Sequence, residues 1–597
     1  MGHPPVTSLP KKFMTGTRPL RLSLRRQPDT EAKGQPVLDS AYQNEPPSAP
    51  RLETWAVQNF KAIGYAETPL RGLTVIAGAN SSGKSSLLQS LLLNAQSEDQ
   101  EVTLNGNLVR LGVPRDVVRA GSSSLSISCT SSTEMNDRST EWHVQLTLRA
   151  TVEGMRVSEC TVARGGDSIF VASDSRVTER TRSQIDRERT YGDTLLRVRE
   201  LNGEVAPAHT YVTFNGLLPT TLHPKQDSTS TLRELRRTFS VKGLRDDADT
   251  ANRFTELVLS SFYMHKERKE AGPLGDAARE LVGGGVTNES TVSISRAKLD
   301  SALKALSESE EEGAWQAIPI RASMAHSRRV SLRYISLALP AIGTAFQAML
   351  KVNEDFSRVG RLVRYLGPLR EEPQVVSKSG ARSRSTPVGV RGELTAELLS
   401  TRTSAVRYSD WNKKRHETTL TIAVSAWAAH LGIGESVSVE DQGKLGRGLR
   451  INLGGVSRDL TMIGVGASQL LPVITIVLDA PPGSIILLEQ PELHLHPSVQ
   501  SRLADFLLFA RPDVCVIVET HSEYLITRIR RRVAEKLADR RNVHILFAEG
   551  TSEGTEMRHL EISELGNLDD WPEGFFDSQD DEARAIVRAI RLRRESK

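Results

Sequence analysis

Gly78-Ala79-Asn80-Ser81-Ser82-Gly83-Lys84-Ser85 matches the phosphate-binding pattern GxxxxGK[ST] and decides the fold. An apolar run, Leu73–Ala77, predicts a buried strand before it, and Lys84–Leu93 predicts the helix after it. In such a loop glycines permit tight turns, N–H groups point at phosphate oxygens, and the helix N-terminus adds partial positive charge. We therefore expect Lys84 to neutralise the β and γ phosphates of a nucleotide and Ser85 to coordinate Mg²⁺, with Ser86 completing the binding stretch.

Composition limits the class of protein. The chain has 597 residues, of which 38% are hydrophobic and 25% are charged. No run approaches the roughly 18 apolar residues that a bilayer crossing needs, so we expect no membrane association. Cys129, Cys160 and Cys515 are too scattered for a metal knuckle, and the N-terminus has no apolar signal core, which predicts a cytoplasmic protein. The net charge of +4 is too small to indicate a polyanionic partner by itself.

Composition and hydrophobic spacing change along the chain and predict its domains. The first 50 residues are rich in proline and basic pairs, which is typical of a disordered tail. A turn is expected at Gly64, and two short strands are expected within residues 102–118. Residues 122–213 alternate apolar and polar side chains, as half-exposed antiparallel strands do, residues 230–360 change to helical spacing, and the alternation returns over residues 415–455. The predicted units are a tail at 1–50, the first half of a nucleotide-binding head at 51–121, a β-rich lobe and helical arm at 122–360, a connector and return segment at 361–440, the second half of the head at 441–550, and a small C-terminal domain at 551–597.

Three motifs in the second half of the chain complement the phosphate loop. Ile485–Glu489 is an apolar run ending in an acid, as expected for a central parallel strand that presents a carboxylate at its edge. It continues as Gln490-Pro491-Glu492-Leu493-His494-Leu495-His496-Pro497. Val514–Glu519 predicts another buried strand, closed by Thr520-His521-Ser522. Gly464–Gln469 precedes a predicted helix, Leu470–Leu478, and offers a second anion site at its N-terminus.

Together these motifs resemble the RecF, SMC and OLD-type branch of the ABC ATPases, whose head is split by a long insertion. About 400 residues separate Lys84 from Glu489 here. The resemblance implies an α/β fold, a P-loop NTPase ABC-type head split by a long β-rich and helical insertion. Leu104–Val117, Tyr365–Arg370 and Trp571–Phe576 resemble a subfamily of uncharacterised AAA/ABC ATPases with a small C-terminal domain.

The resemblance also implies site roles and partners. Two copies would form a homodimer with ATP and Mg²⁺ between them. Glu489 would take the position of the Mg²⁺-linked acid, and His521 would sense the γ phosphate. Gly466 and Ser468 of the second protomer would cap that phosphate. Such proteins act in DNA-related processes, repair or anti-phage defence, so we expect an effector protein partner and consider DNA as a further one.

One residue departs from the pattern. In the family, the residue after the Mg²⁺-linked acid is normally a glutamate that polarises the attacking water. Here this position is occupied by Gln490, which cannot act as a general base. Glu492 is the candidate substitute, and turnover is expected to be slow. The alternative is a nucleotide-responsive scaffold with little turnover.

Other residue patterns have structural and functional interpretations. His494 and His496 alternate like metal ligands but lack nearby acids or cysteines, which favours a structural loop. Four arginines on one predicted helix are expected to form a solvated face, with DNA phosphate contact as the alternative. Phe547–Gly550 superficially resembles the first acidic motif of an OLD-type nuclease, but only 47 residues follow Gly550. The four arginines are Arg528, Arg530, Arg531 and Arg532.

Overall fold

The computed structural model describes residues 51–97, 101–135, 138–175, 177–178, 181, 185, 193–206, 210–224, 318–320, 340–377, 380, 382–569 and 585–591. The predicted tail, most of the predicted helical arm and the Trp571–Phe576 motif therefore lie outside the described residues. The helices are α1 (Lys84–Gln96), α2 (Pro114–Val117), α3 (Pro340–Leu362), α4 (Thr395–Thr401), α5 (Leu420–Leu431), α6 (Val465–Asp479), α7 (Pro497–Phe509) and α8 (Glu523–Ala534).

The strands are β1 (Arg51–Phe60), β2 (Ile63–Pro69), β3 (Leu73–Gly78), β4 (Ser124–Met135), β5 (Arg138–Thr151), β6 (Gly154–Arg164), β7 (Asp167–Ser173), β8 (Asp193–Leu201), β9 (Glu204–Val205), β10 (Thr210–Asn215), β11 (Leu218–Pro224), β12 (Ile318–Pro319), β13 (Val363–Leu366), β14 (Val406–Ser409), β15 (Arg415–Thr418), β16 (Ser436–Asp441), β17 (Arg447–Leu453), β18 (Val456–Asp459), β19 (Ile485–Glu489), β20 (Cys515–Glu519), β21 (Val543–Thr551) and β22 (Gly554–Leu560).

Parallel strands hold the phosphate loop. Their order is β13–β19–β20–β3–β21, and each neighbouring pair is parallel. Because β3 lies between β20 and β21, the loop that follows Gly78 leaves the sheet from an interior strand. Segments far apart in sequence meet here, which is the α/β arrangement expected for a split P-loop head. The fold class predicted from the sequence is therefore confirmed.

Both faces of this parallel sheet are covered. Val75 and Leu488 belong to a buried core shared with α5, α6, α7 and α8. The next residue of β3 and the previous residue of β19, Ile76 and Leu487, belong to a second core shared with α1 and α3. This double burial explains why the strands are continuous apolar runs rather than alternating ones.

The sheet continues beyond β21 through strands that pair antiparallel, except that β22 and β2 are parallel neighbours. The pairings run from β22 to β2, β1, β4, β5, β6, β7, β8, β10, β11 and β12, with β9 paired to β8, in one sheet of 17 described strands. The antiparallel strands predicted between residues 122 and 213 are present. Their alternation arises because one face packs on the core while the other meets solvent.

Helix α3 returns the chain from the insertion to the head and packs along α1. The side chain of Asn94, on α1, donates a hydrogen bond to the backbone oxygen of Phe356, on α3, at 3.0 Å. On its other side, α3 places a buried ion pair, Lys351–Asp355 at 2.7 Å, against Ser131 of β4, whose hydroxyl donates to Asp355 at 2.9 Å. The helix thus joins the antiparallel strands to the helix that follows the phosphate loop.

Three local predictions differ from the structure. The turn expected at Gly64 lies at residues 61–62 instead, and Gly64 is inside β2. The two short strands expected within residues 102–118 are reduced to one bridge between Asn105 and Arg110, because the Asn105 amide exchanges two hydrogen bonds with the backbone of Gly112. The alternation expected over 415–455 is interrupted by α5, whose buried positions recur at helical spacing.

The segment 361–440, expected as a connector and return segment, contributes β13 to the parallel sheet. Four residues are too short for a periodic signal, so this strand could not be recognised from its own sequence. No described helix is both long and apolar enough to cross a membrane.

Candidate functional site

The phosphate loop needs its glycines for steric reasons. Gly78 and Gly83 have φ values of 141° and 91°, in a region that side chains rarely adopt. A Cβ on Gly78 would lie 2.3 Å from the backbone oxygen of Ala548, and one on Gly83 would lie 2.3 Å from the Thr555 hydroxyl oxygen. The β21–β22 hairpin therefore presses against the loop and fixes its shape.

Within the loop, the exposed and buried groups are clearly divided. Ala79, Asn80 and Ser81 are exposed, so a ligand can reach their backbone. The backbone oxygen of Ser82 accepts a hydrogen bond from Thr555 at 2.9 Å, while the buried Ser82 hydroxyl has no hydrogen-bond partner among the described residues. An exposed loop with an unsatisfied buried hydroxyl suits an anionic ligand with several oxygen acceptors.

Lys84 is buried and folds back on the loop. Its ammonium donates to the backbone oxygens of Gly78 at 3.1 Å and Ala79 at 2.6 Å. Burial lowers its pKa, and the nearby Glu519 carboxylate opposes that shift. The cation is thus held at the centre of the loop by neutral carbonyl groups, which a phosphate could replace.

Two acidic strand ends lie side by side next to this loop. Glu489 and Glu519 are partners in the β19–β20 register, and Gln490 extends the contact by donating its N–H to the Glu519 backbone oxygen at 2.8 Å. Gln490 has a φ of 45°. Glu519 also accepts a hydrogen bond from the Ser85 hydroxyl; burial raises its pKa, against the influence of Ser85 and Lys84.

The Glu489 side chain is held by groups from the segment after α3. The Tyr365 hydroxyl donates to Glu489 Oε1 at 2.7 Å, and the Arg370 guanidinium donates to the Glu489 backbone oxygen at 3.3 Å. Burial raises the pKa of Glu489 to about 7, and the Glu519 charge adds to this while Tyr365 and Arg370 oppose it. Burial also lowers the pKa of Arg370 to about 10.

Glu492 and His521 are brought together by a loop contact. The His521 backbone N–H donates to Glu492 Oε1 at 2.7 Å, and the Thr520 side chain supplies a further hydrogen bond. Glu492 Oε2 is buried without a partner among the described residues, and burial raises the pKa of this carboxyl. The His521 side chain is exposed, and its pKa is lowered by partial burial and by the charge of Lys84.

Gly466 and Ser468 lie in the first turn of α6, apart from the phosphate loop. The Ser468 hydroxyl donates to the Val465 backbone oxygen at 2.8 Å, and Gly466 faces the backbone of His494. In the part of the chain that the structure describes, neither residue makes a hydrogen bond or ion pair with residues 78–86. Glu489 and Gln490 lie beside Glu519, which interacts with Ser85, and Glu492 contacts His521, whose pKa is influenced by the Lys84 charge. Gly466 and Ser468 show no comparable link to residues 78–86 in the described part of the chain.

The loop histidines and the arginines of α8, for which the sequence favoured structural roles, make contacts within the chain. His496 caps α7 by accepting from the Ser498 backbone N–H at 3.3 Å, and the described residues contain no group of three or more metal-ligating side chains. Arg528 and Arg532 pair with the buried Asp505 at 2.7 and 2.6 Å. The other two arginines of this helix bind Glu535 and the Gly566 backbone oxygen. The α8 arginines are thus engaged within the chain, and only Arg531 is exposed, so the solvated face expected from the sequence is not formed. This pairing gives the alternative, DNA contact, no support.

Two further alternatives lack support from the geometry. The adjacent His521, Ser522 and Glu523 could suggest hydrolase chemistry, although sequence neighbours rarely form a catalytic triad. Ser522 caps α8 and donates to Gln500 Oε1 at 2.6 Å, so it is not paired with His521 as a nucleophile would be. Glu549 lies within β21 and pairs with Arg558 of the neighbouring strand at 3.3 Å. It is therefore part of a head strand rather than of a carboxylate cluster.

Sequence reasoning missed four residues of this site: Tyr365, Arg370, Glu519 and Thr555. Glu519 carried a usable signal, since it ends a buried apolar strand just as Glu489 does. Tyr365 and Arg370 lie in the Tyr365–Arg370 motif, whose resemblance to a subfamily of uncharacterised ATPases implies no role for either residue. Thr555 had no signal, because its contact with the loop depends on how β22 pairs.

The donor set fits a nucleotide with Mg²⁺. A hydroxyl and carboxylates are the hard oxygen ligands that Mg²⁺ prefers, and Mg²⁺ in nucleotide sites needs only one or two protein ligands besides the phosphates. Ser85, Glu489 and Glu519 are the residues available to hold it.

Comparisons with known proteins agree with this geometry. A sequence profile described as "AAA domain, putative AbiEii toxin, Type IV TA system" matches residues 428–527, and one for a protein of unknown function (DUF3696) matches residues 539–586. No curated protein matches the chain in sequence.

Solved structures that align with the chain include SMC head domains. The Smc head with an extended coiled coil from Pyrococcus furiosus, bound to the C-terminal domain of ScpA, is 13% identical over 91% of this chain and 100% of that chain, with a TM-score of 0.33. The SMC head domain from Thermotoga maritima is 9% identical over 86% of this chain and 100% of that one, with a TM-score of 0.30. At such scores the superposition is loose, and the fold assignment rests on the parallel sheet and loop of this chain.

The phosphate loop on an interior parallel strand and the acidic strand ends beside it define a P-loop NTPase fold, and residues 428–527 of this fold match an AAA-domain profile.

Proposed function

We propose that this chain is an ATP-binding and ATP-hydrolysing switch whose heads dimerise on the nucleotide. The main support is the phosphate loop, in which Lys84 is buried between loop carbonyls and Ala79, Asn80 and Ser81 stay exposed. Loop N–H groups and the α1 N-terminus would bind the phosphates, and Lys84 would neutralise them. Ser85 with a strand-end acid would hold Mg²⁺, which when bound supplies charge to balance the triphosphate.

The dimer proposal rests on the first turn of α6. Its N-cap, Gly464, offers no side-chain cap. The Ala467 N–H binds the Gly464 oxygen at 3.1 Å, whereas the Val465 and Gly466 N–H groups have no hydrogen bond among the described residues and could meet an anion. Val465 and Met462 are 46% and 69% exposed beside it. Since Gly466 and Ser468 do not reach the phosphate loop of their own chain, a second copy would bring them to the γ phosphate.

Gel filtration with and without ATP tests the switch. We expect the wild-type chain to shift to a dimer with ATP and Mg²⁺, and Lys84→Ala to remain unshifted because the phosphates lose their main cation. Lys414→Ala, on the exposed turn between β14 and β15, is the matched control and should dimerise normally. A wild-type chain that elutes identically in both conditions would reject the dimer proposal.

Hydrolysis requires a base, and Gln490 cannot supply one. We propose Glu492, because His521 and Thr520 fix one side of its carboxylate while Oε2 is buried without a partner in the described part of the chain. Oε2 would accept the proton of the water that attacks the γ phosphate, giving ADP and phosphate. The raised pKa of Glu492 is in the direction that makes it a better proton acceptor.

Gln490 also favours a second candidate function, a scaffold that binds ATP with little turnover. Single-turnover hydrolysis by Glu492→Gln and Gln490→Glu separates the two. For the ATPase we expect loss in Glu492→Gln, with a drop on the order of 100-fold, the usual size of general-base catalysis. Negligible wild-type turnover with a large gain in Gln490→Glu would support the scaffold instead.

A DNA-related role in repair or anti-phage defence, with an effector protein partner, is part of the proposal and rests on the motif resemblance. We expect DNA or the partner to change the rate of ATP hydrolysis, because a switch must couple closure to a second ligand. The rate of ATP hydrolysis measured with and without duplex and single-stranded DNA tests whether DNA is such a ligand. Identification of proteins that co-purify only in the presence of ATP tests whether an effector protein is one.

A further inference from the structure

Glu519 is a carboxylate that interacts with the expected Mg²⁺ ligand, Ser85. It ends β20, which lies directly between β19 and β3. The Ser85 hydroxyl donates a hydrogen bond to this carboxylate, and the Lys84 charge acts on it. Glu519 is 4% exposed, and its Oε2 has no hydrogen-bond partner among the described residues. A buried, charged oxygen without a partner is costly unless a ligand completes it.

Glu489, the acid at the usual position, is engaged elsewhere. Its Oε1 accepts a hydrogen bond from the Tyr365 hydroxyl at 2.7 Å, and its backbone oxygen accepts one from the Arg370 guanidinium at 3.3 Å. Within the described residues it makes no hydrogen bond or ion pair with Ser85 or Lys84. Of the two neighbouring strand ends, β20 rather than β19 is the one whose carboxylate is joined to the phosphate loop.

We propose that Glu519, together with Ser85, is the carboxylate that holds the nucleotide-bound Mg²⁺, and that Glu489 is a positioning residue behind it. The proposal rests on the proposed nucleotide site. A hydroxyl and a carboxylate oxygen already in hydrogen-bond contact are near enough for one cation to contact both, and both are ligand types that Mg²⁺ accepts. Glu489 and Tyr365 then keep the β19 strand end fixed beside Glu519.

The test measures the coupling between metal and nucleotide rather than activity. The affinity for a fluorescent ATP analogue is determined in excess Mg²⁺ and again in EDTA, and the ratio of the two dissociation constants reports the coupling. For Glu519→Gln we expect the Mg²⁺-dependent gain to fall by about tenfold or more, as is typical when a metal site loses a supporting carboxylate. Affinity in EDTA should stay equal or increase, because a negative charge facing the phosphates has been removed.

The affinity of Glu519→Gln should thus fall relative to wild type in Mg²⁺ but not in EDTA. This difference separates a metal role from a structural one, since a damaged fold would weaken nucleotide binding in both conditions. Glu489→Gln, a change at the positioning residue, should lower the Mg²⁺-dependent gain by clearly less than Glu519→Gln does. Asp513→Asn, in the turn before β20, is the control and should change neither affinity. Glu519→Asp, which keeps the charge on a shorter side chain, should recover part of the Mg²⁺ dependence.

The outcomes are distinct. A Glu519→Gln ratio equal to that of the wild type, or a loss in Glu489→Gln as large as in Glu519→Gln, overturns this inference and leaves the nucleotide site intact. Absence of saturable analogue binding by the wild-type chain overturns the proposed function and this inference together.

Discussion

Glu489 should make the nucleotide-free protein less stable as the pH rises. Burial raises its pKa from 4.5 to about 7, so the folded state holds this proton more tightly than the unfolded state does. The stability that this adds is fully present below pH 4.5 and is lost as the pH rises through about 7. At about 1.4 kcal/mol per pKa unit, the full difference is about 3 kcal/mol.

Glu489→Gln removes this titration while its amide oxygen can still accept the Tyr365 hydroxyl. We therefore expect the variant to gain about 2 to 3 kcal/mol relative to the wild type between pH 5 and pH 8. Urea unfolding at several pH values, in EDTA and without nucleotide, measures this difference. Carboxyls distant from Glu489 titrate in both proteins and cancel in the comparison, whereas Glu519, whose charge adds to the raised pKa of Glu489, contributes to the measured difference.

Tyr365→Phe provides an independent check on the same carboxyl. It removes the hydroxyl that favours the charged form, so the pKa of Glu489 should rise above its wild-type value and the loss of stability should move to higher pH. A free-energy difference between wild type and Glu489→Gln that does not change from pH 5 to pH 8 would refute the burial argument.

Two further substitutions test the loop and the helical layer. Gly83→Ala should weaken nucleotide binding at least about tenfold, because its Cβ would lie 2.3 Å from the Thr555 hydroxyl oxygen. Gly121→Ala, at a glycine with a similar positive φ but no atom within 4 Å of the added Cβ, should bind nucleotide normally. Equal losses of affinity in the two variants would contradict the steric explanation. Asp505→Asn should lower the free energy of unfolding by about 3 kcal/mol, because Arg528 and Arg532 lose their buried partner. Asp539→Asn breaks an exposed ion pair and should leave urea unfolding unchanged. The explanation fails if the two variants unfold at the same urea concentration.

The parts of the site that the sequence predicted are those with a local signal. The loop glycines, Lys84 and the helix after them follow from eight adjacent residues. Glu489 follows from an apolar run ending in an acid. Each of these signals lies within one element and its first turn, where backbone geometry dictates the residue type.

The parts that the sequence did not predict depend on pairing between distant segments. Tyr365 reaches Glu489 only because β13 pairs with β19, and 124 positions separate the two residues. Thr555 reaches the loop because β22 continues the sheet past β21. The helix α5 was hidden because the residues at its start alternate in polarity, while its burial follows a spacing of three and four.

The packing of α1 on α3 gives the head a mechanical connection to its insertion. One end of α1 carries Lys84, and near the other end the Asn94 amide is tied to the backbone of Phe356. Protein interiors are packed as densely as organic crystals, so a displacement of a helix in this layer is passed to its neighbour rather than absorbed. Closing of the loop on phosphate would therefore act on α3, and through α3 on the antiparallel strand β4, whose Ser131 is hydrogen-bonded to Asp355.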